Sequence, residues 1–329
     1  MSVEVAERYK FFCRKCLDFH THFAQPEVLQ TSYPNWVTSG FGQRPAQTDS
    51  PSIRPMLDPE IAVQDMNARG VDFHVLCSCD VVQSRVWAEP DEEYRLTRLV
   101  NDECVSWVER HPDRFIGSAV LPLVDMKNAI GELERMHAQA FKVVQLPSNV
   151  RGDYLGHKRF ADLLERIRAY NMVIFLHPEG VTDPWYQPYW MWNSIGQSIE
   201  EVRCMTSLIY EGVMDRLSGI KIVMAHGGGY MPHYMGRLDR NYIEKPFVNI
   251  NISKKPSEYL RDFYYDSCVY DARTLELLVE RVGIDRIVLG GDYPVAAVDP
   301  IDFLENVRLP DEDRAKIAGG NALSLLGLT

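Results

Sequence analysis

Met172-Val173-Ile174-Phe175-Leu176-His177-Pro178 is the stretch that decides the fold. Val173, Ile174, Phe175 and Leu176 are consecutive apolar side chains, so neither face of the segment suits water. A run this short and continuous fits a parallel strand covered on both sides by helices. Working outward, candidate strands of β-rich character occupy residues 16–19, 71–77, 115–121 and 141–146 before it, and 220–225, 263–266 and 286–290 after it. Segments of helical period lie between them, at 58–69, 91–110, 126–139, 157–170, 195–216, 231–242 and 271–282, with two shorter pieces in 310–326. The first begins Asp58-Pro59-Glu60, a cap followed by proline and an acid in the first turn, and stops at Gly70. Eight βα units predict an α/β chain closed into a (β/α)8 TIM barrel. A doubly wound open sheet is the rival. The barrel is preferred because the residues suited to chemistry end strands from both halves of the chain, and they converge only if the sheet closes.

The length allows two ordinary domains or one large barrel-type domain. The chain has 329 residues, 46% apolar and 25% charged, which argues against disorder and fibrous repeats. Acidic residues number 46 against 35 basic, for a net charge of −11, which argues against nucleic-acid partners. No apolar run reaches the roughly 18–20 residues of a membrane span. Residues 1–15 carry Glu4, Glu7, Arg8 and Lys10, unlike a secretory leader. They are read as an N-terminal extension, and residues 16–329 as a single barrel domain. Seven cysteines argue against a disulfide framework and for a reducing cytoplasm. Cys13-x-x-Cys16 has no second pair to complete a four-cysteine site and is read as incidental.

The chemistry concentrates at strand ends. In Asp18-Phe19-His20-Thr21-His22, two residues apart along a strand means one shared face, so His20 and His22 can chelate one ion. His177 ends the fifth strand. His226 opens His226-Gly227-Gly228-Gly229 after the sixth, where glycines let backbone approach a ligand. Asp292 lies in Gly290-Gly291-Asp292-Tyr293-Pro294 after the eighth. All would open on one barrel face. Three imidazoles and a carboxylate suit a divalent transition metal, zinc first, with manganese, cobalt and iron as alternatives, and the remaining histidine is available for proton transfer. Barrel hydrolases that hold two metals carry a bridging lysine or acid near the end of strand four; compared with them, Gln145 cannot bridge and Lys142 lies three residues too early, which implies one metal. The long stretches 21–57 and 178–196 leave from the same face, and the second holds Trp185, Tyr186, Tyr189, Trp190 and Trp192.

This set of motifs, spread over residues 17–326, resembles the metal-dependent decarboxylase branch of the amidohydrolase superfamily, most of all its aminocarboxymuconate-semialdehyde decarboxylase-like members. The likeness includes Arg54-Pro55, Gly236-Arg237-Leu238-Asp239 and Pro256-Ser257-Glu258-Tyr259-Leu260. It implies a carboxy-lyase acting on a small unsaturated or aromatic carboxylic acid. His20, His22, His177 and Asp292 would be metal ligands, and His226, or Asp292 itself, would handle the proton. Arg54 would bind the substrate carboxylate, Trp190 would wall the pocket, and Arg237 would reach a neighbouring subunit's pocket in a homodimer. A hydrolase or hydratase on the same barrel is the alternative. The loop after His177, beginning Glu179-Gly180-Val181, departs from the pattern and leaves the substrate open.

Overall fold

The computed structural model describes residues 15–32, 48–179, 181, 183–186, 188–296 and 298–328. Nearly all of the N-terminal extension, with Cys13, lies outside the described residues, as do 33–47 of the first long stretch and Gly180 and Thr182 of the loop after His177. Eight parallel strands follow one another in chain order around a sheet: β1 (Leu17–Phe23), β2 (Phe73–Ser78), β3 (Phe115–Ala119), β4 (Val143–Pro147), β5 (Val173–His177), β6 (Lys221–Met224), β7 (Tyr264–Asp266) and β8 (Ile287–Val288). The seam between the first and last strands is made just beyond β8. Phe19 N donates to Leu289 O at 2.8 Å, and His22 N donates to Tyr293 O at 2.7 Å. The sheet thus closes into the expected (β/α)8 barrel.

Strand β5 shows how side chains are divided. Val173 and Phe175 fill the barrel interior with Phe19, Val143, Val223 and Val288, while Ile174 and Leu176 join the layer under the helices. Continuing the alternation, His177 points inward at the C-terminal mouth. Strand β1 cannot do this by alternation alone. Leu17 and Phe19 face the interior, which would turn His20 and His22 outward. The pairing with β2 carries an extra residue between Asp18 and Thr21. This bulge switches the phase, so that His20 and His22 join the interior face and Phe23 packs under the helices.

Helix Pro59–Arg69 follows its sequence signals. The Asp58 carboxylate accepts from Glu60 N at 2.9 Å, and Gly70 closes the helix at φ 71°. Other helices differ from expectation. The segment 195–216 divides into a wide π-type turn (Trp192–Gly196), a helix (Gln197–Tyr210) and a last turn (Val213–Arg216), broken where Gly212 adopts φ 71°. The segment 231–242 is a short turn (Met231–His233) and then a helix (Gly236–Glu244), because Tyr234 leaves helical geometry at φ −129°. A small antiparallel hairpin pairs Asn149–Val150 with Asp153–Tyr154. It has no counterpart among the expected strands, since two-residue ladders carry no periodic signal.

Candidate metal centre

Four histidines and one aspartate meet at the C-terminal mouth. His20 Nε2 and His22 Nε2 are 3.2 Å apart. Asp292 Oδ1 is 3.0 Å from His22 Nε2 and 3.5 Å from His20 Nε2. Ligand atoms bonded to one transition ion at about 2.0–2.2 Å stand about 3.0–3.5 Å from each other, so this triangle has the edges of a coordination shell. The His177 ring centroid lies 5.1 Å from those of both His20 and His22, and His226 lies 5.1 Å from His20. A nitrogen of His177 and one of His226 fall within 4.8 Å of His20's. His177 Nδ1 and His22 Nδ1 are buried with no hydrogen-bond partner among the described residues. One divalent metal ion fits this donor set, and His20, His22, His177 and Asp292 would hold it.

The surrounding carboxylates aim these side chains. Asp266, at the end of β7, accepts from His20 Nδ1 at 2.6 Å, which directs Nε2 at the cluster. Its other oxygen accepts from Gly227 N at 3.0 Å and Cys268 N at 3.1 Å. Asp18 accepts from His20 N at 3.0 Å and Gly291 N at 2.9 Å, tying β1 to the turn that carries Asp292. Gly291 is required there, because a Cβ would stand 2.4 Å from Asp18 Oδ2. Tyr270 OH donates to Asp292 Oδ2 at 3.1 Å, leaving Oδ1 for the histidines. His226 Nδ1 bonds Glu201 Oε1 at 2.5 Å, which leaves Nε2 for the cavity.

Two of the site residues stand on strained backbone. His226 adopts φ 48° and Asp292 φ 51°, values that non-glycine residues rarely take. Continuing the alternation of Val223 and Ala225 would turn His226 away from the barrel axis, and the left-handed turn brings it back. Gly227 continues that turn at φ 62°, where a Cβ would stand 2.6 Å from Val269 Cγ1.

Burial sets the charge of each group. It depresses His20, against the pull of Asp266, and it holds His177 far down, with His20, His22 and His226 adding repulsion. Both are therefore neutral, as a ligand must be. Burial would depress His226 as well, but the Glu201 carboxylate outweighs it, and the net shift is upward. Burial opposes ionisation of Asp292, yet the histidines around it, His22 first, hold its carboxyl below the usual range.

A cavity of about 490 Å3 opens beside the cluster. His22, His177, His226 and Asp292 form its floor, and Met56, Val82, Trp190 and Trp192 contribute apolar walls. Trp190 therefore stands where expected. Arg54 does not line this cavity: its side chain is exposed on a short turn, while neighbouring Ile53 and Met56 do line it. Arg237 is also exposed, and it lines a different cavity of about 590 Å3 with Tyr230, Met231 and Tyr234. Among the described residues, no lysine or arginine lines the metal-side cavity. Gln145 is engaged elsewhere, donating to Ser78 O at 2.9 Å and Asp80 Oδ2 at 3.0 Å. Sequence reading passed over Asp266, Glu201 and Tyr270. Two signals were available: Asp266 ends a predicted strand on the catalytic face, and Glu201 is an acid on the buried face of its helix.

The sequence profile of the amidohydrolase family matches residues 17–328, and the chain belongs to that family. A 2-amino-3-carboxymuconate-6-semialdehyde decarboxylase of Dictyostelium discoideum is 31% identical, across 95% of this chain and 91% of that protein. The crystal structure of a dihydroxybenzoic acid decarboxylase from Polaromonas sp. JS666, with bound manganese and the inhibitor 2-nitroresorcinol, matches with a TM-score of 0.81 at 25% identity, over 95% of this chain and 97% of that one. A 5-carboxyvanillate decarboxylase from Sphingomonas paucimobilis shares the fold, with a TM-score of 0.86 at 24% identity over 96% and 99% of the two chains.

Proposed function

We propose that this protein is a metal-dependent, non-oxidative decarboxylase of a small unsaturated or aromatic carboxylic acid, of the aminocarboxymuconate-semialdehyde type. The observation that carries the proposal is the 3.0–3.5 Å triangle of His20, His22 and Asp292 beside a His226–Glu201 pair, all facing one cavity. The decarboxylase names of the relatives above support the reaction class and weigh against the hydrolase or hydratase alternative.

His20, His22, His177 and Asp292 would hold one metal ion. Zinc is the first choice for this donor set, and manganese, cobalt and iron are accepted by the same atoms. When bound, the metal supplies positive charge that stabilises negative charge on substrate oxygen. The chain's own residues do the rest. The apolar walls at Met56, Val82 and Trp192 take a flat unsaturated body, and Trp190 covers it. His226 holds a proton at Nε2 while Glu201 fixes Nδ1. That proton passes to the substrate carbon, and the bond from this carbon to its carboxylate breaks. The products are CO2 and the protonated carbon skeleton, so charge and atoms balance. Asp292, at the same cavity floor, is the second candidate for the proton relay.

With no cation in the described wall, the substrate carboxylate needs a partner from elsewhere. Arg54 reaches it only by turning in from its exposed position. Arg237 reaches it only from a second copy of the chain, which favours a homodimer. The exposed Tyr230, Tyr234, Phe247 and Ile250 beside that helix support such a contact. We further read residues 16–329 as one barrel domain with 1–15 as an extension, and the cytoplasm as its location. Cys77, Cys79, Cys104, Cys204 and Cys268 are buried free thiols, and no described helix is long and apolar enough to cross a membrane.

Metal analysis combined with CO2 release tests the proposal. Purified protein should carry about one metal per chain and release CO2 from at least one of aminocarboxymuconate semialdehyde, a dihydroxybenzoate or a carboxyvanillate. Chelation should abolish the release. Metal-loaded protein that releases CO2 from none of these acids would refute the decarboxylase reading, and protein that binds no metal would refute the site.

A further inference from the structure

We infer that the N-terminal end of the barrel carries a second site, for a small phosphate-bearing molecule. A cavity of about 590 Å3 lies there, where β6 begins at Lys221, β7 at Tyr264 and β8 just after Arg286. The helix Asn321–Leu326 closes one side, and Arg261 reaches in from the turn before β7. The metal cluster is at the opposite end of the same strands.

The lining is basic in a chain of net charge −11. Lys221, Arg261 and Arg286 face a single acid, Asp285, which is 3.2 Å from Lys316 Nζ. Among the described residues, neither Arg261 nor Arg286 has a carboxylate within ion-pair distance. Such unmatched guanidinium groups on one cavity present donors in the flat, forked geometry that phosphate oxygens accept. Two of the cations are held in place beforehand. Lys221 Nζ donates to Leu325 O at 3.1 Å, and the Arg286 guanidinium stacks 4.8 Å over the Tyr264 ring. Stacking on a ring leaves the edge of a guanidinium free to donate. Ser324 adds a hydroxyl. Asn321 contributes shape only, because its amide already donates to Ile284 O and Ile287 O.

The volume exceeds what a lone phosphate fills and falls within the range of metabolite pockets. The class of ligand is therefore a phosphate monoester with an organic body that lies against the Arg286–Tyr264 stack.

Isothermal titration of the metal-loaded full chain with AMP, and separately with inorganic phosphate, at constant ionic strength tests the inference. AMP should saturate one site per chain. Arg261→Gln combined with Arg286→Gln should weaken it by at least about tenfold, the loss of a charge-assisted contact. His177→Ala, expected to empty the metal centre, should leave the affinity unchanged, which separates this site from the metal-side cavity. AMP binding more tightly than phosphate would assign the rest of the cavity to the organic body. Equal affinities would overturn that part of the inference. Absence of saturation by both probes at millimolar concentration would overturn the site, as would equal binding by the double variant. Should the double variant misfold, Arg261→Gln alone, at an exposed side chain, carries the same test with a loss of about threefold or more.

Discussion

Strands β1 and β5 carry His20, His22 and His177 within their own spans, whereas β6 and β8 end first and deliver His226 and Asp292 from left-handed backbone. The two arrangements suit different work. His22 is paired with Cys77 on one side and bonded to Tyr293 on the other, His177 is paired with Pro147, and burial keeps His20 and His177 neutral, which is what a ligand needs. A residue in a strained turn depends on what surrounds it. His226 leans on Glu201 and on Gly227, and Asp292 on Tyr270 and on the Asp18–Gly291 contact. The strand pair sets where the metal would sit, and the turn pair sets what can be done beside it.

The sharpest way to break this comparison is to truncate one residue of each kind. His177→Ala should reduce metal content from about one per chain to near zero, and activity with it, as read by metal analysis of the purified variant. His226→Ala should keep the metal and lose on the order of 10²–10⁴ in turnover. Full metal occupancy in the first variant, or near-normal turnover in the second, would erase the distinction. A smaller effect tests the dependence of His226 on its neighbour. Glu201 holds the imidazole proton more tightly, so protonated His226 persists to higher pH. Glu201→Gln removes that hold, and the alkaline limb of kcat should move to lower pH by about one unit or more. An unmoved profile would show that another group delivers the proton. The mildest change is Tyr270→Phe, which frees Asp292 Oδ2. We expect about a tenfold loss of metal affinity with the fold intact, measured by chelator competition.

Much of this was legible in the sequence, and the exceptions have physical causes. All eight strands lie within a few residues of their expected positions, because buried parallel strands write themselves as apolar runs. His20, His22, His177, His226 and Asp292 do converge. The route by which His20 and His22 converge was not legible. Alternation correctly put them on one face, but which face depends on the bulge between Asp18 and Thr21, and no residue type announces an extra residue in a ladder. The outward position of Arg54 was equally hidden, since an arginine's direction on a three-residue turn is set by its neighbours in space. Asp266 escaped notice because its partner His20 is 246 residues away. Local patterning has no access to such a pair, although every strand end on this face was a place to look.

The seam between β1 and the residues after β8 has a consequence for biosynthesis. His22 and Asp292 are 270 residues apart, and the backbone of the same His22 closes the barrel on Tyr293. A nascent chain exposes His20 and His22 long before Asp292. It then waits for 270 more residues, about 14–54 s at ordinary elongation rates, before the aspartate that would complete the set leaves the ribosome. During that interval His20 and His22 are an incomplete chelate on an unpaired strand edge. The segment just after β8 therefore performs two acts in one motion, sealing the sheet and bringing Asp292 to the two histidines.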